Sequence, residues 1–242
     1  MNNEILEKIY QKYDHSEYIG VFHKDIVDVT LSKTSIELVL YHVQKKQETV
    51  GAGGAWFTAQ STQHKGKLER QITGYVGEMA IYQYWYGYHT GLEKFHQYRE
   101  WYNEHPSFND QGRDFLNFDI KTRRLIRFGK RANFHKSPIN KNILNYELII
   151  RPEFKPTEEH VYVLAVTEYS DNLLHNLAEP VVVSLLGYGG IQDGIWYPDG
   201  QTTIKGAHWA IPTTKMKPVE NLINQNRFNH QAVNIAEKNH FE

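Results

Sequence analysis

One short stretch contains the pattern that decides the fold: Gly112-Arg113-Asp114-Phe115-Leu116-Asn117-Phe118-Asp119-Ile120-Lys121-Thr122. Successive side chains of a β-strand point to opposite faces. On a strand, Asp119 and Lys121 therefore share one face, while Ile120 points into the core. The stretch predicts a strand with a carboxylate and an ammonium group side by side.

Asp114 precedes Asp119 by five residues and would face the other side of one unbroken strand. A two-residue turn at Leu116-Asn117 would instead place Asp114 opposite Asp119, with Cβ atoms about 5 Å apart on one face. Leu-Asn is not a preferred turn pair, although Asn tolerates positive φ, so a bulged variant is the alternative. Two carboxylates that close repel each other unless a cation lies between them. Because hard oxygen ligands suit Mg²⁺, the hairpin predicts a metal site.

Strand-like segments before and after this stretch predict a sheet. Alternating apolar residues indicate strands over Val27–Leu31 and Ile36–Leu40, with a turn at residues 32–35. Three further runs are rich in β-branched residues and predict strands at Tyr146–Ile150, Val161–Val166 and Val181–Leu186.

The helical segments surround this sheet in the sequence. Apolar spacing predicts a helix over Leu68–Trp85, and shorter helices over residues 2–13 and from Pro218 to about residue 229. Gly74 and Gly77 lower the intrinsic helix propensity by about 1 kcal/mol each relative to Ala. Such glycines indicate a close approach to another backbone, here a sheet. The element order predicts an α/β fold with a central mixed sheet flanked by helices.

A basic block follows the central strand. The segment Lys121–Lys141 contains eight Lys and Arg residues and no acid, in a chain of 242 residues with a formal net charge of −1. Such a block in an otherwise acidic protein is typical of phosphate-backbone binding, and a solvated loop is the alternative. The predicted nucleic-acid contacts are Arg123, Arg124, Arg127, Lys130, Arg131 and Lys136.

Composition excludes several classes of site. The chain has no cysteine, which rules out disulfides, zinc ribbons and thiol catalysis. Its thirteen histidines form no His-Glu-x-x-His motif, and no pair shows zinc-site spacing with a third ligand. No run of about 18 apolar residues and no apolar leader segment occurs, so we expect a cytoplasmic protein without a membrane partner.

Three motifs in this order resemble the PD-(D/E)XK nuclease superfamily, which includes restriction and phage endonucleases. Gly77-Glu78-Met79-Ala80 is similar to the family's helical motif, and residues 110–114 are similar to its Asp-Gly-Gly-x-Asp run. Asp119-Ile120-Lys121 matches the Asp/Glu-x-Lys signature, and Thr122 is common after it. The resemblance covers about residues 68–222.

The resemblance implies a restriction-endonuclease-like domain, which we assign to residues 61–242. Residues 1–60 show no such resemblance, and their apolar pattern predicts a helix and β-hairpin appendage. The resemblance also implies a Mg²⁺-dependent endonuclease of restriction, phage or defence type that acts on double-stranded DNA, with Mn²⁺ as a substitute ion. Glu78, Asp114 and Asp119 would be catalytic metal ligands, with Ile120 in the metal site. Lys121 would orient or deprotonate the attacking water.

Several alternatives stay open at this stage. The spacing from Asp114 to Asp119 is shorter than most members of the superfamily show, so Asp110 is the other candidate for the second acid. The function could also be that of a non-catalytic DNA-binding module with a nuclease-like fold, or of an interaction protein with an exposed acidic hairpin. RNA preference, an exonuclease mode and assembly as a homodimer are left undecided by the sequence.

Overall fold

The computed structural model describes residues 26–51, 61–104, 118–124, 147–168, 180–202, 204, 206–212 and 215–222. The helices are α1 (Lys33–Gly51), α2 (Ser61–Tyr86) and α3 (Tyr88–Glu104). The strands are β1 (Val27–Leu31), β2 (Phe118–Arg124), β3 (Glu147–Ile150), β4 (Val161–Glu168), β5 (Val181–Gly189), β6 (Ile195–Tyr197) and β7 (His208–Pro212). Short 3₁₀ turns lie at Pro152–Phe154 and Ile191–Asp193.

The main sheet is mixed, with the strand order β1-β5-β4-β2. β5 runs antiparallel to both β1 and β4, whereas β4 and β2 are parallel. A second, antiparallel sheet has the order β3-β7-β6. The predicted mixed α/β architecture is therefore confirmed, as are the strands predicted near residues 27, 118, 146, 161 and 181.

The three helices pack on one face of the main sheet. Their buried side chains form one core with Phe118 and Ile120 of β2 and with apolar residues of β1, β4 and β5. The opposite face of β4 contributes Tyr162 and Leu164 to a smaller core shared with β3 and β7. Among the described residues, β4 therefore lies between a helical layer and a second sheet.

The predicted strand at Ile36–Leu40 is wrong, because this segment lies within α1. The predicted turn before it is the start of the helix, where Ser32 Oγ accepts a hydrogen bond from the Ser35 backbone N–H at 3.2 Å. Ile36, Val39 and Val43 recur at helical spacing and are buried in the core. Over five residues, apolar positions cannot separate the strand period of 2 from the helix period of 3.6. The helical pattern prevails because it continues to Val43.

The predicted helix at Leu68–Trp85 is confirmed as part of α2. A Cβ atom added at Gly77 would overlap the side chain of Thr122 on β2, so this glycine allows the close approach of helix and sheet. Gly74 has no atom within 4 Å of that position, and the same expectation is wrong there.

Part of the predicted appendage belongs to the main packed unit. β1 is hydrogen-bonded to β5, and buried residues of α1 share the core of α2 and α3. The predicted helix at residues 2–13 lies outside the described residues, as does the chain beyond residue 222. Within the described helices, none has the length and apolar character that crossing a membrane requires.

Candidate functional site

The structure describes some of the predicted site residues and not others. Glu78 lies on α2, whereas Asp119, Ile120, Lys121 and Arg123 lie on β2. Arg124 is the last residue of that strand. Outside the described residues are Asp110, Asp114, the predicted turn at Leu116-Asn117, Arg127, Lys130, Arg131 and Lys136. The hairpin that would join Asp114 to Asp119 is therefore not part of the described structure.

The pairing of Asp119 with Lys121 follows from their spacing on β2. Lys121 Nζ lies 2.6 Å from Asp119 Oδ2, so the two form an ion pair on one face of the strand. The Asp119 side chain is 7% exposed and the Lys121 side chain 29% exposed. A nearly buried carboxylate thus anchors an ammonium group that solvent and a ligand can reach.

The surroundings of Asp119 come from β4 and the second sheet. Its register partner on β4 is Tyr162, a buried residue that packs with Leu148 and Ile150 of β3. Burial, together with the negative charge of Asp119, raises the pKa of Tyr162 to about 12. Tyr162 therefore keeps its proton at neutral pH.

Glu78 is held by a different partner. Its Oε2 forms an ion pair with the Arg99 guanidinium of α3, and both side chains are buried. The guanidinium carbon lies 4.1 Å from the centroid of the Tyr75 ring and 5.1 Å from that of Tyr98. An aromatic enclosure between α2 and α3 thus surrounds this pair.

Glu78 and Asp119 come from different layers of the fold. Phe118 and Ile120 of β2 share the core of the helices. Asp119 alternates with them along the strand, so it points toward the side on which Tyr162 meets the second sheet. Glu78 joins α2 to α3 through Arg99, and its convergence with Asp119 in one site stays a prediction.

A third group of polar residues was missed by sequence reasoning. His42 of α1 and His96 and Glu100 of α3 each offer one ligand atom, and these three atoms all lie within 4.8 Å of one another. His42 Nε2 is 3.0 Å from His96 Nδ1, and His42 Nδ1 is 3.7 Å from Glu100 Oε1. We refer to His42, His96 and Glu100 as the histidine cluster.

The surroundings of His42 within the histidine cluster keep its imidazole neutral. Burial, the neighbouring His96 ring and the cations Arg99 and Lys45 lower the pKa of His42 to about 4, although Glu100 opposes this shift. Burial would raise the pKa of Glu100, but the hydrogen bond and charge of Lys45 outweigh it and leave this pKa below its usual range. At neutral pH the cluster therefore presents neutral His42 beside an ionised carboxylate.

The sequence does contain part of the signal for this cluster. His96 and Glu100 are four residues apart, so they lie on one face of a helix. The third member, His42, comes from α1, 54 residues earlier than His96. That separation is not a zinc-site spacing in the sequence, so only the packing of α1 on α3 brings the three ligand atoms together.

Comparison with protein-family models, with curated proteins and with solved structures finds no match to this chain.

Proposed function

We propose that this protein is a metal-dependent nuclease that hydrolyses DNA phosphodiester bonds at Asp119 and Lys121. The ion pair on β2 is the observation that carries the proposal. Both side chains lie on one face of the strand, as the Asp-x-Lys spacing predicts. The carboxylate is nearly buried and the ammonium group is accessible.

Lys121 supplies the group that meets the attacking water. An ammonium group has three N–H donors and no acceptor, so it orients a water oxygen and balances charge on a phosphate. Its ion pair with Asp119 limits its rotamer freedom before substrate binds. This preorganisation lowers the entropy that must be lost when the water and the phosphate are aligned.

The carboxylate of Asp119 fits a hard divalent cation in part. Mg²⁺ is usually bound by one or two carboxylates together with substrate phosphates. Asp119 provides one carboxylate, while the second predicted ligand, Asp114 or Asp110, lies outside the described residues. When bound, Mg²⁺ would stabilise negative charge on the phosphate and lower the pKa of a bound water.

The position of Arg123 supports a polyanionic substrate. Arg123 follows Lys121 by two residues on β2, so it shares the face of Asp119, and it is exposed. A cation there can contact a phosphate next to the one that Lys121 reaches. Since the basic block continues from this point to Lys141, double-stranded DNA is the substrate class that we propose.

The direct test is Mg²⁺-dependent cleavage of plasmid DNA by the untagged protein. Asp119→Ala should abolish cleavage and leave DNA binding nearly unchanged, because it removes a metal ligand and not a phosphate contact. Glu93→Ala, which removes an exposed acid of α3, is the matched control and should cleave normally. Undiminished cleavage by Asp119→Ala would contradict the proposal. DNA binding without any cleavage by the wild type would favour a non-catalytic module.

The role of Glu78 is tested by a second variant. A ligand role would make Glu78→Gln inactive even when the protein is fully folded, whereas a role confined to the Arg99 pair would lower stability and spare the activity of the folded fraction. Cleavage rates normalised to the folded fraction separate the two. Comparing Asp110→Ala with Asp114→Ala then identifies the second acid of the site.

A further inference from the structure

The histidine cluster lies between α1 and α3, on a part of the fold that the proposed nuclease chemistry does not use. We propose that His42, His96 and Glu100 form a binding site for a transition-metal ion of the Zn²⁺ class, which links the two helices. This inference is independent of the proposed nuclease function.

The distances within the cluster suit one shared ion. Zn²⁺ binds imidazole nitrogen at about 2.0–2.1 Å, so two ligand atoms of a tetrahedral site lie roughly 3.3 Å apart. The separation of 3.7 Å from His42 Nδ1 to Glu100 Oε1 is close to this value. The contact of 3.0 Å to His96 is made by the other nitrogen of His42, Nε2, so one histidine ligand must move closer to share the ion. That movement is short, because the three ligand atoms already lie within 4.8 Å of one another.

Two atoms of the cluster are buried without a hydrogen bond. Neither His42 Nδ1 nor Glu100 Oε1 has a hydrogen-bond partner among the described residues. The His42 side chain is fully buried, and its Nδ1 faces Glu100 Oε1 across 3.7 Å. A buried polar atom that makes no hydrogen bond is costly. A cation bound to these two atoms would compensate both.

The ligand types favour a borderline metal over Mg²⁺ or Ca²⁺. Imidazole suits Zn²⁺, Cu²⁺, Ni²⁺ and Fe²⁺, whereas Mg²⁺ and Ca²⁺ prefer sites made of oxygen atoms. The charges around the cluster also balance: Lys45 pairs with Glu100, and Arg99 pairs with Glu78. With no excess negative charge to attract a hard cation, affinity has to come from the two imidazole groups.

The cluster is accessible from solvent. The side chain of Glu100 is 26% exposed and that of its partner Lys45 is 31% exposed, so solvent reaches one side of the cluster. Three protein ligands and an open fourth position are typical of zinc sites that retain a water molecule. Lys45 binds Glu100 Oε2, which leaves Oε1 as the oxygen directed at His42. The ammonium of Lys45 therefore competes electrostatically with a bound cation.

The test is Zn²⁺ binding to the untagged full chain after removal of metal with a chelator. Affinity is measured by competition with a chromophoric chelator. His96→Ala and Glu100→Gln should each lower the affinity of one site by at least about 10-fold, since even residues that only support metal ligands have effects of that size. Lys45→Met should raise the affinity, because it removes the competing cation.

Matched controls make each result decisive. His89→Ala removes an exposed histidine from the same helix and should bind Zn²⁺ like the wild type. Wild-type affinity in His96→Ala, or an equal loss in His89→Ala, would overturn the proposal. A loss of folding cannot explain a gain in affinity, so Lys45→Met stays informative if another variant misfolds. Affinity in Lys45→Met at or below that of the wild type would exclude Glu100 as a ligand and overturn the three-ligand site.

Discussion

Two of the carboxylate–cation pairs among the described residues differ sharply in their surroundings. Glu78 and Arg99 lie between two helices, with side chains only 5% and 3% exposed. Asp119 and Lys121 lie on β2, with side chains 7% and 29% exposed. In the first pair both charges are removed from water, and in the second the cation keeps part of its hydration. The comparison shows that similar ion pairs can be enclosed on all sides in one place and open to solvent at the cation in another.

The physical difference lies in the cost of desolvation. A fully buried pair lies in a region of low dielectric constant, and loss of one partner leaves an uncompensated charge there. A pair with an accessible cation is weaker, because water screens the ammonium group and can reach the carboxylate from the side on which the cation lies. The Glu78–Arg99 pair should therefore matter for stability, and the Asp119–Lys121 pair mainly for ligands.

Removal of Arg99 should give the largest change in stability. Arg99→Met keeps an unbranched apolar chain within the ring enclosure but leaves Glu78 buried without its cation. The free energy of unfolding should fall by about 3–5 kcal/mol. Urea unfolding followed by circular dichroism measures this change.

A double variant provides the control for that result. Glu78→Leu combined with Arg99→Met removes both charges, so it should be more stable than Arg99→Met alone. If the double variant were less stable than the single one, the cost would come from lost packing against the rings and not from an unpaired carboxylate. The contrast between the two ion pairs would then fail.

The contact between α2, which carries Glu78, and β2, which carries Asp119, should have an intermediate effect on the free energy of unfolding. A Cβ atom in Gly77→Ala would overlap Thr122, so helix and sheet would have to separate, at a cost of about 1–3 kcal/mol. Gly74→Ala is the matched control, because it has open space and should stabilise the helix by up to about 1 kcal/mol. Equal unfolding free energies for the two variants would show that the close approach is unimportant.

Local patterns were sufficient to predict much of the sheet and one helix. The β-branched runs gave β4 and β5, and alternation placed Asp119 and Lys121 on one face of β2, because both features depend only on neighbouring residues. Alternation misled at α1, where the fully buried face is Ile36, Val39 and Val43, while Leu38 and Leu40 are only partly buried. A short window contains too few residues to separate the two periods.

Long-range partners could not be predicted in the same way. The ion pair of Glu78 with Arg99 on the next helix was not predicted from the sequence. His42 meets His96 across 54 residues of sequence, through the packing of α1 on α3. Such contacts depend on which helix faces which. That is decided by the whole core rather than by any one motif.

Replacement of Lys121 should produce the smallest change in stability. In Lys121→Met the partly exposed ammonium is lost and the Asp119 carboxylate, 7% exposed, stays behind. Because water reaches this pair from the side of Lys121, the unfolding free energy should fall by only about 1 kcal/mol, less than in Arg99→Met. The same variant should lose DNA cleavage if Lys121 orients the attacking water, so stability and activity separate in this variant. Lys217→Met provides the control, because it removes another accessible cation, whose Nζ lies 3.3 Å from Asp193 Oδ2. It should affect neither stability nor cleavage strongly.

A loss of unfolding free energy in Lys121→Met as large as that in Arg99→Met would mean that both pairs are structural. The proposed nuclease role of β2 would then lose its physical basis.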